Sequence, residues 1–314
     1  MIVGVTGGTG FVGRILIDRH LANGDVVRVL SRKSAGTLKA RDGIKFISGD
    51  LTCPSGKLID FVDGVDVLYH CAAEIRDQSK MRAVNVNGTV NLCNAATGKI
   101  GRWVQLSSVG VYGVQRSGII TEESPSSPVG IYETTKTMSD QIVMEHSKKG
   151  AFACNILRPS NIYGSTMANR SLFQLIRTIA KGFFFFIGKP GASANYISVY
   201  NVAEALMLCG NARDSGIGVF NLSDHRSLET FVEVIADELG CGRPRLRLPE
   251  GPVRLLAGVF GAIPGFPLTQ SRIDAMTTRS VYSIDRIQDE LGYVHRVQME
   301  DGLRQLARAW KESE

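Results

Sequence analysis

The chain has 314 residues, 44% of them apolar and 21% charged, with a formal net charge of +6. This is long enough to bury a large core in one or two domains, and too ordinary in composition for a disordered or fibrous protein. The lysines and arginines are scattered and accompany no nucleic-acid motif, so a nucleic-acid partner is not expected.

In chain order, short β-branched runs alternate with helical stretches. "IVGVTG", "VVRVL", "KFISG", "VDVLYHCAA", "RWVQLSS" and "FACNILRP" read as strands, while "GFVGRILIDRHLANG" and "MRAVNVNGTVNLCNAATG" read as helices between them. This alternation predicts an α/β fold, a doubly wound parallel sheet with helices on both faces. In such sheets ligands bind beyond the carboxyl ends of the strands.

Past about residue 165 the pattern loosens. "SLFQLIRTIAKG", "NVAEALMLCG" and "LETFVEVIADELG" read as helices, the last stopped by Gly240, and "GVFNLS" reads as a strand returning to the main sheet. The spacing predicts a dinucleotide-binding domain over 1–165, rejoined by 195–223. It leaves 166–194 and 224–314 for a smaller, mixed C-terminal lobe expected to hold the substrate. The six cysteines form no CxxC or Cys/His cluster, so neither a metal site nor a disulfide framework is expected, and a reducing cytoplasm fits. The first residues run straight into a strand, with no basic and apolar leader pattern ahead of it. Two apolar patches, "FFFF" at 183–186 and "VRLLAGVFGAIPGFPL" at 253–268, are shorter than a spanning helix, and Pro264 and Pro267 break the second. They read as core packing or a pocket wall in preference to membrane contact.

The first strand runs into "GVTGGTGFVG", in which Gly8, Gly10 and Gly13 satisfy G-x-G-x-x-G, and Gly7, Gly10 and Gly13 a second spacing. A tight glycine turn opening a helix is a dinucleotide fingerprint of the Rossmann type. The pyrophosphate is expected on Gly7, Gly10, Phe11, Val12 and Gly13. At the end of the second strand, where NAD-selective sites usually carry an acid, the chain has Ser31, Arg32 and Lys33. Arg32 and Ser31 suit an adenosine 2′-phosphate, so NADP(H) is favoured, with NAD(H) the alternative. Asp50 and Leu51, ending the third strand, are placed to meet the adenine.

These residues together resemble the extended short-chain dehydrogenase/reductase superfamily, the branch of nucleotide-sugar epimerases, dehydratases and ketoreductases. The resemblance runs through "TGGTGFVG", "GDL", "HCAA", "NVNGT", "SSVGVYG", "YETTK", "LRPSNIYG" and "DELGY" followed by "EDGL", in that order along nearly the whole chain. It implies that Tyr132 is the general acid/base, Lys136 its partner and Ser108 the hydroxyl that orients the reacting oxygen. Ser108 is preferred to Ser107 for its four-residue spacing to Tyr112. Tyr132 and Lys136, four apart, share a helix face, and an ammonium there would lower the phenol below its ordinary value of about 10. Lys136 would also hold the nicotinamide ribose. The resemblance further places Ala72 and Pro159 against the cofactor and Asn161 against a substrate. Asn85 is expected either to anchor a helix against the neighbouring loop or to contact a ligand, and His70 resembles a strand-end position in preference to a catalytic histidine.

The family's dehydratases carry an Asp-Glu pair after the active-site hydroxyl residue. Here Val109 and Gly110 follow Ser108, so dehydration is not expected. A reductase working on a 4-keto nucleotide sugar is the leading expectation, encouraged by the basic turn at Arg32. A nucleotide-sugar 4-epimerase holding NAD, a reductase of a dihydroflavonol-like or steroid-like ketone, and a non-catalytic dinucleotide sensor are the alternatives. The family's epimerases place an arginine near the positions of Ala194 and Asn195 to clamp a diphosphate; with none there, Arg272 and Arg279 are the candidate substitutes. A homodimer through helices near 80–97 and 131–149, the second bearing Ile142, Val143 and Met144, is also implied.

Overall fold

Residues 1–32, 41–167, 171–214, 216–260 and 269–313 are described by a computed structural model; Lys33, Pro264 and Pro267 lie outside them. The strands are β1 (Ile2–Thr6), β2 (Val26–Ser31), β3 (Ile44–Ser48), β4 (Val67–His70), β5 (Arg102–Leu106), β6 (Ser117–Ile120), β7 (Ala153–Pro159), β8 (Asn161–Tyr163), β9 (Phe186–Ile187), β10 (Ser193–Ser198), β11 (Ile217–Leu222), β12 (Asp224–Ser227), β13 (Arg247–Leu248) and β14 (Arg279–Tyr282). The α-helices are α1 (Phe11–Ala22), α2 (Gly56–Val62), α3 (Gln78–Met81), α4 (Gly88–Ala96), α5 (Ile131–Lys148), α6 (Ser171–Ala180), α7 (Val199–Asn211), α8 (Leu228–Leu239), α9 (Glu250–Phe260), α10 (Gln270–Thr277), α11 (Asp285–Leu291) and α12 (Met299–Ser313).

Seven parallel strands make the central sheet in the order β11-β7-β5-β4-β1-β2-β3. The chain winds outward from β1 in both directions, so the crevice between the ends of β1 and β4 is the switch point where such sheets bind ligands. Alternation along the strands sends apolar side chains to both faces. Leu16, Ile17, Val202 and Leu206 pack α1 and α7 on one face with Val3 and Val5. Leu58, Phe61, Leu92 and Val143 pack α2, α4 and α5 on the other with Leu68 and Trp103. The sheet is Rossmann-like, as the alternating pattern requires.

The helical reading of 78–96 needs one amendment. Residues Arg82–Asn87 widen into a π-helical turn between α3 and α4. That turn puts the Asn85 amide inside, where Oδ1 accepts from the Glu74 N–H at 2.7 Å and Nδ2 donates to Glu74 O and Thr135 Oγ1. Asn85 therefore ties the loop after β4 to α5.

The segment 195–223, expected to return whole to the main sheet, does so only in part. α7 packs on that sheet and β11 pairs with β7, but β10 sits in a separate three-stranded sheet ordered β12-β10-β8. The cause is a split in one ribbon. β7 and β11 run side by side until Ser160 and Ser223, whose hydroxyls meet at 2.9 Å. Each strand then continues as β8 or β12, the two diverge, and β10 fills the gap between them. Around this second sheet Tyr163, Ile176, Phe186, Phe231, Ile235 and Leu306 form a core of their own.

Gly210 on α7 marks how closely the helix layer approaches the sheet: a Cβ there would lie 1.9 Å from Tyr69 Oη. Gly210→Ala is therefore expected to destabilise the fold by about 1–3 kcal/mol, the scale of overpacking. Urea denaturation checks this, and an unchanged midpoint would refute so tight a contact.

Candidate active site

The turn after β1 is built from close backbone approaches. Gly7 adopts φ +68°, and a Cβ on it would lie 2.7 Å from Ala72 N; a Cβ on Gly13 would lie 2.3 Å from Gly7 O. Only glycine fits either place. Gly10 is the N-cap of α1 and supplies no side-chain cap. The first-turn N–H groups at Phe11 and Val12 thus open toward the crevice, the arrangement that receives a pyrophosphate. Phe11 itself begins α1 and packs near Gly164, while the Val12 side chain is buried, so those two residues offer backbone and not side chain.

At the other end of the expected cofactor groove, Ser31 closes β2 and Arg32 follows it, exposed. Lys80, itself paired with Asp77 Oδ2 at 2.5 Å, lies close enough for the Arg32 charge to act on it. Asp50 is half-buried and its Oδ1 accepts from the Thr52 N–H and hydroxyl, both at 2.9 Å; Leu51 is buried beneath it. Ala72 donates its N–H to Thr6 Oγ1 beside the glycine turn.

The residues expected to do chemistry come from the segment just past β5 and from the first turns of α5, which are tied together by Lys136 Nζ and Leu106 O. Ser108 caps a short 3₁₀ turn, its Oγ accepting from the Gly110 N–H at 3.1 Å, and it is half-exposed. Ser107 is buried and donates to Asp140 Oδ2 at 2.7 Å, which makes Ser108 the available hydroxyl of the two. Tyr132 lies in the first turn of α5 and Lys136 one turn later, buried, with Nζ donating to Leu106 O at 2.6 Å. Burial pushes the Lys136 ammonium below the usual lysine range, against the pull of Asp140 and Cys71.

The expected lowering of the phenol is corrected by this geometry. Tyr132 is pushed up to about 12, first by burial and then by the Glu133 and Asp140 carboxylates. The Lys136 ammonium is turned to Leu106 O at the end of β5. Glu133, adjacent to the tyrosine, carries a signal that the sequence reading passed over: a carboxylate in the first turn of the catalytic helix.

Behind the triad lies a buried polar network that the motifs did not announce. Asp140, one turn beyond Lys136, is 1% exposed and takes Arg158 Nε and Nη2 at 3.4 Å as well as Ser107. Arg158 Nη1 donates to Tyr112 Oη, and that hydroxyl donates to Asn221 Oδ1. Burial pushes the Asp140 carboxyl up, opposed by Arg158 and Lys136. Its position, four residues past Lys136, was the only clue available in the sequence. On the other side of α5, Ser139 joins Gln105 and Thr89, and His70 bridges Thr89 to Thr6. Burial takes His70 down to about 3, so it is a neutral connector.

Pro159 is buried at the end of β7, and Asn161, two residues on, is exposed at the start of β8. The arginines proposed for a diphosphate fare differently. Arg279 is corrected to a structural strut: its guanidinium donates to the carbonyls of Thr277, Lys189 and Pro190, fastening β14 to the turn before β10. Arg272 is exposed in the first turn of α10 and donates to Gln174 Oε1. Ala194 is buried in the core of the second sheet, and Asn195 donates to Ser280 O. Among the described residues no group of His, Cys, Asp and Glu could hold a metal ion, and no helix is long and apolar enough to cross a membrane.

A sheet of this winding with a glycine turn and a Ser-Tyr-Lys cluster defines an extended short-chain dehydrogenase/reductase. The chain belongs to the NAD dependent epimerase/dehydratase family, whose profile matches residues 3–223. It is similar, at 28% identity over 97% of this chain and 95% of the relative, to the 4-hydroxy-2-methyl-3-oxo-4-farnesyl-3,4-dihydroquinoline-1-oxide ketoreductase of Stigmatella aurantiaca. It is also similar, at 27% identity over 92% of this chain and 85% of the relative, to a 3 beta-hydroxysteroid dehydrogenase/Delta 5-->4-isomerase of Mycobacterium tuberculosis. The fold is shared with UDP-glucuronic acid 4-epimerase from Bacillus cereus, solved in complex with NAD, at a TM-score of 0.79 and 19% identity over 100% of this chain and 99% of that one.

Removing Asp140 leaves a buried guanidinium without its counter-charge. Asp140→Ala is expected to destabilise the protein by about 3–5 kcal/mol, while Asp140→Leu combined with Arg158→Leu regains much of that loss. Urea denaturation of the three proteins checks the ordering; a double variant no more stable than the single would show that the pair is not what the charge balance implies.

Proposed function

We propose that the chain is an NAD(P)-dependent ketoreductase that delivers hydride to a ring ketone. The observation that carries this reading is geometric: Tyr132 and Lys136 stand one turn apart on α5, Lys136 is tied to the end of β5, and Ser108 just past that end is the serine whose hydroxyl is not taken by Asp140. A phenol keeps its proton at neutral pH, and so suits an acid that hands a proton to a developing alkoxide. Ser108 would hold the ketone oxygen in line with Tyr132 Oη. Lys136, anchored on Leu106 O, would bind ribose hydroxyls and steady the charge left on the phenol. When bound, the nicotinamide supplies the hydride; the glycine turn, the uncapped start of α1 and the buried Pro159 are the features that fit it. Arg32 with Lys80 nearby supports NADPH over NADH.

Two substrate classes follow. A 4-keto nucleotide sugar agrees with the fold shared with a UDP-sugar epimerase. An apolar ring ketone is favoured by the commitment of Arg279 to three carbonyls and of Asn195 to Ser280, which leaves Arg272 as the one exposed candidate for a diphosphate. The names of two relatives that each match more than nine-tenths of the chain point the same way. We therefore place the apolar ketone first and the nucleotide sugar second. The assembly that accompanies this reading is a homodimer through α4 and α5. There Val143 is buried inward, and Ile142 and Met144 are half-buried beside it.

The test is a panel of steroid-like ring ketones and UDP- and GDP-linked 4-keto sugars, offered with NADPH while nicotinamide absorbance is followed. Tyr132→Phe keeps the ring and removes the proton, and is expected to lower turnover roughly 100-fold or more with little change in cofactor affinity. Near-normal turnover in Tyr132→Phe would sink the mechanism. No turnover of any ketone in the wild type would favour a dinucleotide sensor.

Cofactor choice is separately testable. A charge-assisted bond from Arg32 to a 2′-phosphate is worth about 1.5–3 kcal/mol, so Arg32→Ala should weaken NADPH about 10- to 150-fold and spare NADH. An equal effect on both cofactors, with NAD retained through purification, would instead support an epimerase.

A further inference from the structure

The two apolar patches of the sequence, 183–186 and the run beginning at Val253, have no part in the site above, yet the fold brings them together. β9 and β13 pair in parallel, and α9 lies against one face of that ribbon, packing Val253 and Ala257 with Ile187 and Ile273. Successive strand residues face opposite ways. Phe185, Ile187 and Leu248 therefore face α9, and Phe184 and Phe186 face the core of the second sheet. By the same alternation Phe183 and Leu246 lie on the α9 side, just beyond the cover the helix provides. They are 73% and 60% exposed.

The outer face of α9 is apolar as well: Leu255, Leu256 and Val259 are 71%, 48% and 62% exposed. Its two charged residues, Glu250 and Arg254, bond each other, and Arg254 also reaches Asp274, so neither breaks the apolar face with a free charge. Cations flank the patch. Lys181 lies two residues before Phe183 and Arg245 immediately before Leu246, both exposed, and no acidic partner for either is found among the described residues. Five open apolar side chains beside unpaired cations make a surface with two complementary demands, for an apolar phase and for anions at its rim.

We propose that this face docks the protein on an anionic lipid bilayer. The apolar side chains enter the boundary between headgroups and acyl chains, while Lys181 and Arg245 meet lipid phosphates. The attachment is interfacial, and it does not depend on which ketone is reduced.

The test is flotation of the purified full chain with vesicles of phosphatidylcholine containing phosphatidylglycerol, compared with phosphatidylcholine alone, at low and high salt. The expected result is binding to the anionic vesicles that weakens with salt. Leu255→Gln with Leu256→Gln and Val259→Gln should reduce partitioning at least roughly tenfold. Lys181→Glu with Arg245→Glu should remove the preference for anionic lipid. Nicotinamide binding, read by fluorescence, should be unchanged in both variants, which keeps a failure here distinct from a failure of the ketoreductase reading. Should the triple variant lose cofactor binding, Leu255→Gln alone carries the test, with an expected loss of roughly threefold. Absence of vesicle binding, or binding that the apolar substitutions leave intact, overturns the proposal. Self-association in light scattering that these substitutions abolish, without vesicle binding, assigns the face to a second copy and overturns it equally.

Discussion

The catalytic end of this molecule depends on one buried carboxylate. Asp140 belongs to α5, accepts a hydrogen bond from Ser107 at the end of β5, and faces Arg158 at the end of β7. Those three elements also carry Tyr132 and Lys136, Ser108, and Pro159. A single side chain thus holds together the three segments that bear the candidate site residues. Ser107, Arg158 and the nearby Lys136 oppose the cost of burying the charge without cancelling it: burial still pushes the carboxyl up, and all three bonds fall on Oδ2.

A second network fixes α5 from the side of the glycine turn. Ser139, adjacent to Asp140, reaches Thr89 and Gln105, and Thr89 reaches His70 and through it Thr6 at the end of β1. Adjacent residues on a helix point about 100° apart, so Ser139 and Asp140 can address different neighbours from one turn. The helix is clamped between the glycine turn after β1 and the segment that follows β5. Neutral His70 suits that task because it both donates and accepts without bringing a charge into the core.

How much of this could be read beforehand follows from how local each feature is. The strand and helix alternation, the glycine turn and the Tyr132–Lys136 spacing are set by residues within one or two turns of each other, and the sequence displays them directly. The Asp140–Arg158 pair joins residues from different elements, and only folding reveals that both arrive at Ser107. The engagement of Arg279 was hidden because an arginine's charge is visible in the sequence, while two of the three carbonyls that occupy it come from a turn about ninety residues away. The divergence of β7 and β11 at Ser160 and Ser223 was hidden too, since a strand that changes sheets keeps its strand pattern.

That divergence bears on the chemistry. β8 and β12 prolong β7 and β11 beyond the main sheet, so the second sheet is a direct extension of the strands that end at Pro159 and Leu222. No flexible linker separates the place where a substrate would be gripped from the place where Tyr132 would meet it. Ser160 and Ser223 pin the split, and Asn161 stands exposed immediately past it. Tyr112 closes the connection from beneath, joining Arg158 on β7 to Asn221 on β11 one residue pair before the strands part. From Asn221 through Tyr112, Arg158 and Asp140 to Ser107, an unbroken run of hydrogen bonds ties the ends of β11 and β7 to α5 and to the end of β5.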